Sequence, residues 1–239
     1  MKNIQNIVKR LQNIMRKDPG VNGDAQRIEQ LGWMFFLKIL DDKELAKETV
    51  YDNYTPIIPE NLQWRNWAAD EEGITGAPLE QFINNKLFPE LMNLDISSDP
   101  RAAMVRDIFS DNNNYMKNGT TIRQVINEIN RIDFNRSQDR HLFGDIYEKI
   151  LKDLQSAGNA GEFYTPRALT DLMAQLTDPK PDEIVFDPSC GTGGFLTSAL
   201  EYIREKYLES PDQIVQLEKT ISGQEFKPLP YLLANTNLI

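Results

Sequence analysis

Cysteine and histidine are almost missing from this sequence: Cys190 and His141 are the only ones in 239 residues. A single cysteine excludes an intrachain disulfide and a cysteine-cluster zinc site, in keeping with a reducing, cytoplasmic location. A single histidine, set among Asp139, Arg140 and Leu142, cannot build a histidine metal cluster, and capping or solvent exposure is its expected role. No metal site is expected. Long apolar runs are missing too, since the longest, residues 31–37, is cut by Lys38, far short of the roughly 20 residues a bilayer requires. Residues 1–17 spread their apolar side chains at helical spacing, so they read as a helix and not as a signal peptide. Basic charge is short: 26 Lys and Arg against 36 Asp and Glu leave a net charge of −10. That excludes a protein that coats nucleic acid unaided, because phosphate binding rests on Lys and Arg. One local basic stretch, Lys2, Lys9, Arg10, Arg16 and Lys17, reads as a solvated helix face. Internal repeats and low-complexity tracts are also absent, which excludes a solenoid.

What is present is helical periodicity. Ile4, Ile7, Val8, Leu11, Ile14 and Met15 recur at spacings of three and four, the stripe of an amphipathic helix. Asp18-Pro19-Gly20 stops it, and Asp24 is placed to cap a second helix that buries Ile28, Leu31, Phe35, Ile39 and Leu40. Between Thr49 and Ala77 the periodicity fades into a long loop pinned by Trp64 and Trp67. Stripes return after Pro78, after Pro100, through Ile122, Val125, Ile126 and Ile129, and through Leu142, Ile146, Tyr147, Ile150, Leu151 and Leu154. Residues 1–155 thus read as a helical amino-terminal domain. Small, turn-prone residues at 155–161 mark the boundary, and residues 156–239 read as a second domain.

The second domain changes pattern. Thr165 is set to cap a helix with Pro166 in its first turn and Leu169, Leu172, Met173 and Leu176 on its buried side. A strand at 183–187, a helix from about Gly193 to Lys206 and a strand at 220–225 follow, the opening of a parallel α/β sheet of Rossmann-like type. In such sheets ligands bind beyond the carboxyl ends of the strands, where residues 187–194 (Asp-Pro-Ser-Cys-Gly-Thr-Gly-Gly) lie. Gly191, Gly193 and Gly194 let the backbone turn tightly against a ligand, and the following helix aims its amino terminus there. Asp187 is placed to bond a ligand or hold the loop, and Glu225, ending the second strand, to accept both hydroxyls of an adenosine ribose. Phe195 and Leu196 stand where a Walker loop needs Lys and Ser or Thr, and Leu196 occupies the third position of a dinucleotide fingerprint, so neither motif fits. Cys190 reads as a small residue in a tight turn and not as a nucleophile.

The segment Gly161-Glu162-Phe163-Tyr164-Thr165-Pro166-Arg167, taken with residues 187–196, resembles the methylation subunit of type I restriction-modification systems. The likeness extends to residues 36–42 and 143–148. It implies S-adenosylmethionine as cofactor and transfer of its methyl to adenine N6 in DNA. It further implies partners: a specificity subunit that reads DNA, a restriction and motor subunit, and a second methylation subunit. For the site it implies that Glu162, Phe163, Tyr164, Thr165, Pro166 and Arg167 wrap the methionine end, that Thr192, Gly193 and Gly194 lie under the cofactor, and that Glu225 holds the ribose. The residues make sense of this: free amides at the helix start beside Thr165 suit a carboxylate. Phe163 and Tyr164 suit a sulfonium cation.

The Asn/Asp-Pro-Pro-Phe/Tyr loop that related enzymes use to orient the adenine amino group is missing, for no Pro-Pro pair occurs. No catalytic residue is therefore assigned, and this chain by itself is expected to be inactive. With only two strands of a parallel sheet, apolar faces should stay uncovered. The alternative reading is a non-catalytic helical interaction module with a vestigial loop, and an RNA or protein methyltransferase is a third.

Overall fold

The computed structural model describes residues 2–132, 134, 165–208, 217 and 220–239. The chain divides into two compact units, Met1–Ala160 and Gly161–Leu238. In the first, α1 spans Lys2–Met15, α2 Asp24–Val50, α3 Trp64–Trp67, α4 Gly76–Phe82, α5 Phe88–Met92, α6 Ala102–Asp111 and α7 Gly119–Asn130. The stripe at Leu142–Leu154, His141 and the expected boundary at 155–161 lie outside the described residues.

On α1, Ile7, Val8, Leu11 and Met15 are buried, and the helix packs on α7. The sequence gives α2 one buried side, but Trp33, Met34, Phe36 and Leu37 are buried along with Ile28, Leu31, Phe35, Ile39 and Leu40. A helix whose middle, residues 30–37, is buried on every side belongs in the centre of its unit. Trp33, Phe88 and Phe109 meet there edge to face, with Phe88 and Phe109 centroids 5.0 Å apart. Gly23, at φ 109°, takes the position before α2, so Asp24 is the first helical residue and not the cap.

Asp18 does more than end a helix. Its Oδ1 accepts the amides of Gly20 and Lys117, its Oδ2 accepts that of Asn118, and the whole group is buried. A β-carbon on Gly20 would lie 2.0 Å from the Tyr115 carbonyl, so only glycine permits this seam. Asn118 then caps α7 by accepting the amides of Thr120 and Thr121. Trp64 and Trp67 are buried packing anchors, their indole N–H groups donating to Asn130 Oδ1 and the Leu62 carbonyl.

Two carboxylates of α2 are also buried. Glu44 Oε1 accepts the Tyr54 hydroxyl and the Ile57 amide, and Asp41 Oδ2 accepts the Arg65 amide. Among the described residues Glu44 Oε2 has no hydrogen-bond partner, while Asp41 Oδ1 faces Arg65 Nε at 3.3 Å as an ion pair without hydrogen-bond geometry. Burial pushes both carboxyls above their ordinary pKa, outweighing the hydrogen bonds that pull them down. A raised carboxyl takes up its proton in the folded state first, so its burial cost is relieved as pH falls from neutrality toward the unfolded value of 4.5 for Glu44. The parent should therefore gain melting temperature relative to Glu44→Gln between pH 7.5 and pH 5. A gap that stays constant over that range would contradict the buried charge.

In the second unit α8 spans Arg167–Thr177, β1 Val185–Asp187, α9 Gly194–Tyr207, β2 Ile221–Gly223 and α10 Pro228–Leu238. The strands pair in parallel, Val185 with Ile221, Phe186 with Ser222 and Asp187 with Gly223. Leu196, Ala199 and Ile203 of α9 are buried, and the helix packs on α8, on α10 and on both strands. Asp178 ends α8 in the left-handed region and accepts hydrogen bonds from Lys180, Tyr202, Lys206 and Tyr207, tying the far ends of α8 and α9. Those donors hold its carboxyl well below the usual carboxylate range.

Two expectations need correction here. Pro166 occupies the cap position with Arg167 as first helical residue, and no side chain caps α8, so Thr165 stands one residue outside. The apolar stripe of α8 is bare: Leu169, Leu172, Met173 and Leu176 are 46%, 48%, 43% and 76% exposed, while Thr170 and Ala174 form the buried side. Spacing reports that a face is apolar, not that anything covers it. Ile184 and Phe186 alternate with Val185 on one sheet face and are exposed as well, as two strands alone would leave them. Residues 228–238, to which the sequence reading assigns no element, form α10, with Pro228 and Pro230 at its start. Both sit in its first turn, where a missing amide costs nothing.

Candidate functional site

The loop after β1 is held by hydrogen bonds at nearly every residue. The Asp187 carboxylate accepts the Ser189 amide, its carbonyl accepts the Gln224 amide, and the Cys190 amide returns to the Gln224 carbonyl. Gly191 and Gly193 stand at φ 57° and 77°, the left-handed region that only glycine enters freely. The Gly193 amide closes a turn on the Cys190 carbonyl, and α9 begins at the next residue with its amino terminus at the loop.

Three side chains from three other elements fasten this loop. Glu225, just past β2, accepts the Gly191 amide at 2.9 Å through Oε2 and the Lys227 amide at 2.8 Å through Oε1. Arg167, at the start of α8, donates to the Gly194 carbonyl at 3.3 Å. Asn237, in the last turn of α10, donates to the Thr192 carbonyl at 2.9 Å. Each Glu225 oxygen keeps lone-pair capacity beyond its one amide bond.

Above the loop is an open cleft of about 390 Å³, whose walls include Thr165, Asp187, Gly191, Thr192, Gly194 and Glu225. Six of the expected site residues thus share one cavity. Gly193 is buried beneath it, 3.4 Å from Ala234 where a β-carbon would stand, and Arg167 serves the loop from behind. Pro166 sets the start of α8. Glu162, Phe163 and Tyr164 lie outside the described residues. A second opening of about 500 Å³ adjoins on the far side of Glu225, walled by Ser189, Gly223, Phe226 and Tyr231 among others.

Sequence reasoning missed Phe226, whose side chain is 99% exposed immediately after Glu225. It also missed Gly223, where a β-carbon would come within 2.7 Å of Leu196 and 3.1 Å of Cys190. A glycine at a strand end was the available sign of that close approach. Burial, with Asp187 and Glu225 nearby, pushes the Cys190 thiol above its ordinary pKa, which keeps it protonated and unreactive at neutral pH.

The cleft has three features that bear on what it can hold. Its size falls within the range of small-ligand sites. A β-carbon on Gly191 would meet nothing within 4 Å, so the backbone there is open to close approach. The charged residues lining the cleft are two carboxylates, Asp187 and Glu225, and one cation, Lys227. Among the described residues no three His, Cys, Asp or Glu side chains gather as metal ligands, and no helix is long and apolar enough to cross a membrane.

Comparison with known proteins matches residues 4–129 to the HsdM N-terminal domain and residues 138–239 to the N-6 DNA Methylase family. The chain is 54% identical, over 99% of its length, to the methylase subunit of the type I restriction enzyme EcoEI of Escherichia coli, of which it covers 49%. Among solved structures it is similar to a modification subunit assigned to a type I restriction enzyme of Vibrio vulnificus YJ016, with a TM-score of 0.89 and 39% identity over 99% of this chain and 53% of that one. A chain from a type I restriction-modification complex gives a TM-score of 0.79 at 33% identity, over 99% of this chain and 48% of that one. The chain thus spans about half the length of the relatives it matches.

Proposed function

The chain belongs to the family of type I restriction enzyme methylase subunits, and from that premise we propose that it binds S-adenosylmethionine in the cleft above the glycine loop, as the amino-terminal half of an adenine N6 DNA methyltransferase. The observation that carries this reading is the convergence of Thr165, the glycine loop and Glu225, distant in sequence, on one cavity. Thr192, Gly193 and Gly194 lie under the cofactor, with the α9 amino terminus offering amide dipoles to it. Glu225, already anchored to the loop, accepts the ribose hydroxyls with its remaining lone pairs. The exposed ring of Phe226 stacks on the adenine from the adjoining opening. Thr165 and the start of α8 receive the methionine carboxylate, with Glu162, Phe163 and Tyr164 completing that wall. The cofactor supplies an electrophilic methyl group.

Residues 1–155 serve as the helical domain and residues 156–239 as the opening of the methyl-donor domain. In the cytoplasm the subunit works with a DNA-reading specificity subunit, a restriction and motor subunit and a second methylation subunit, an arrangement suited to its acidic charge of −10. The 239 residues hold no Pro-Pro pair, so no group in them orients the adenine amino nitrogen, and alone they transfer no methyl. Calorimetric titration of this chain with S-adenosylmethionine should give saturable heat. Glu225→Ala should weaken binding roughly tenfold to a hundredfold, the loss of charge-assisted hydrogen bonds. Absence of heat at millimolar ligand would overturn the cofactor reading and leave a helical interaction module. Labelled methyl appearing in duplex DNA with this chain alone would refute the claim of inactivity.

A further inference from the structure

The Thr192–Gly193 peptide ends on Gly193, at φ 77°, and follows one residue after Gly191, at φ 57°, both in the left-handed region. With glycine on its carboxyl side, such a peptide plane can flip at little steric cost, and a flip would exchange the directions of its carbonyl and its amide. Both ends are held. The Gly193 amide donates to the Cys190 carbonyl at 2.8 Å, and the Thr192 carbonyl accepts from Asn237 Nδ2 at 2.9 Å. The donor comes from α10, which runs close behind the loop: a β-carbon on Gly193 would lie 3.4 Å from Ala234 Cα.

We propose that Asn237 is a positioning residue of the cofactor loop, one that locks the Thr192–Gly193 peptide so that its carbonyl points to α10 and away from the cleft. The inference rests on the cofactor reading only for its effect on binding, since the lock itself is a property of the loop. A carboxamide is the fitting group, because it presents an uncharged N–H to a backbone carbonyl from a fixed helical position. Aspartate at the same place turns an oxygen toward that carbonyl, and leucine fills the space without a donor. The neighbouring Asn235 is a natural control, for its side chain folds back on the Tyr231 carbonyl within α10.

Asn237→Asp, Asn237→Leu, Asn237→Gln and Asn235→Asp are compared in the 239-residue chain by titration with S-adenosylmethionine and by hydrogen exchange of the Gly193 amide. Asn237→Asp and Asn237→Leu should speed Gly193 exchange at least about tenfold, as a local opening freed of one restraint. They should also weaken binding about tenfold, while Asn237→Gln and Asn235→Asp stay within roughly threefold of the parent. Exchange and binding that are unchanged in all three Asn237 variants, or equally damaged in all three, overturn the proposal. A parent that gives no heat would sink the cofactor reading while leaving Gly193 exchange to decide the role of Asn237.

Discussion

Arg123→Met should cost the helical unit about 1–3 kcal/mol, the penalty for leaving a buried backbone carbonyl without its donor. The guanidinium of Arg123 is buried on α7 and meets carbonyls alone: Nε and Nη2 donate to Ile74, Nη1 to Ala68 and Asp70, and Nη2 also to Trp67. One side chain thereby satisfies the irregular backbone between α3 and α4, with help from Asn130 on Ala68 and Asn127 on Glu71. Methionine fills much of the volume but leaves the buried Trp67 carbonyl without its donor, a loss of roughly 1–3 kcal/mol, while the Asp70 and Ile74 carbonyls belong to exposed residues and turn to water. Set against a total stability on the order of 5–15 kcal/mol, the loss should lower the melting temperature by about 3–10 °C. Arg123→Lys should recover only part of it, since an ammonium cannot span the same set of carbonyls. Arg131→Ala is the contrast. That residue pairs with Glu128 on the surface at 57% exposure, and its removal should stay within about 0.5 kcal/mol. Thermal denaturation of the three variants decides the matter, and an Arg123→Met melt within 2 °C of the parent would show that the loop does not depend on the guanidinium.

Gly193→Val should weaken S-adenosylmethionine binding about a hundredfold or more, through backbone geometry and not through lost contacts. At φ 77° a β-branched residue is strained by on the order of 1–3 kcal/mol. Its branches would also press on Ala234, already 3.4 Å from the position of a β-carbon. Relief of both requires the loop to move off α10, which breaks the Asn237 contact and tilts the amino terminus of α9. Gly193→Asn separates the two causes: asparagine tolerates the left-handed region and carries no β-branch, so it should retain most of the affinity. Calorimetry with far-ultraviolet melting is the measurement. Equal binding by Gly193→Val and the parent would mean that the loop adapts freely, against the preformed geometry described above.

The two cases differ in how far the sequence announces them. Gly193 stands in a motif whose spacing, after a strand and before a helix, already states its conformation. Arg123 carries no such mark. On an amphipathic helix an arginine reads as a surface residue, and its burial depends on a loop some fifty positions away folding its carbonyls toward α7. The same holds for Asp18, read as a turn residue, whose carboxylate gathers amides from across the unit.

For this protein, local chemistry set by the sequence alone determined α1, α2, α6 and α7, the strand character of β1 and β2, the conformation of Gly191 and Gly193, and the family, whereas α3 formed inside a stretch that reads as loop. These follow from periodicity, from glycine's freedom at positive φ and from motif spacing, none of which needs a distant partner. Only the tertiary structure decided which sides of α2 and α8 are covered. Only it recruited Arg123 and Asp18 into the interior, turned Pro228 and Pro230 into the start of α10, and brought Asn237 onto Thr192. Each of these depends on what stands opposite, and burial is a property of a pair of surfaces, of which a sequence pattern describes only one.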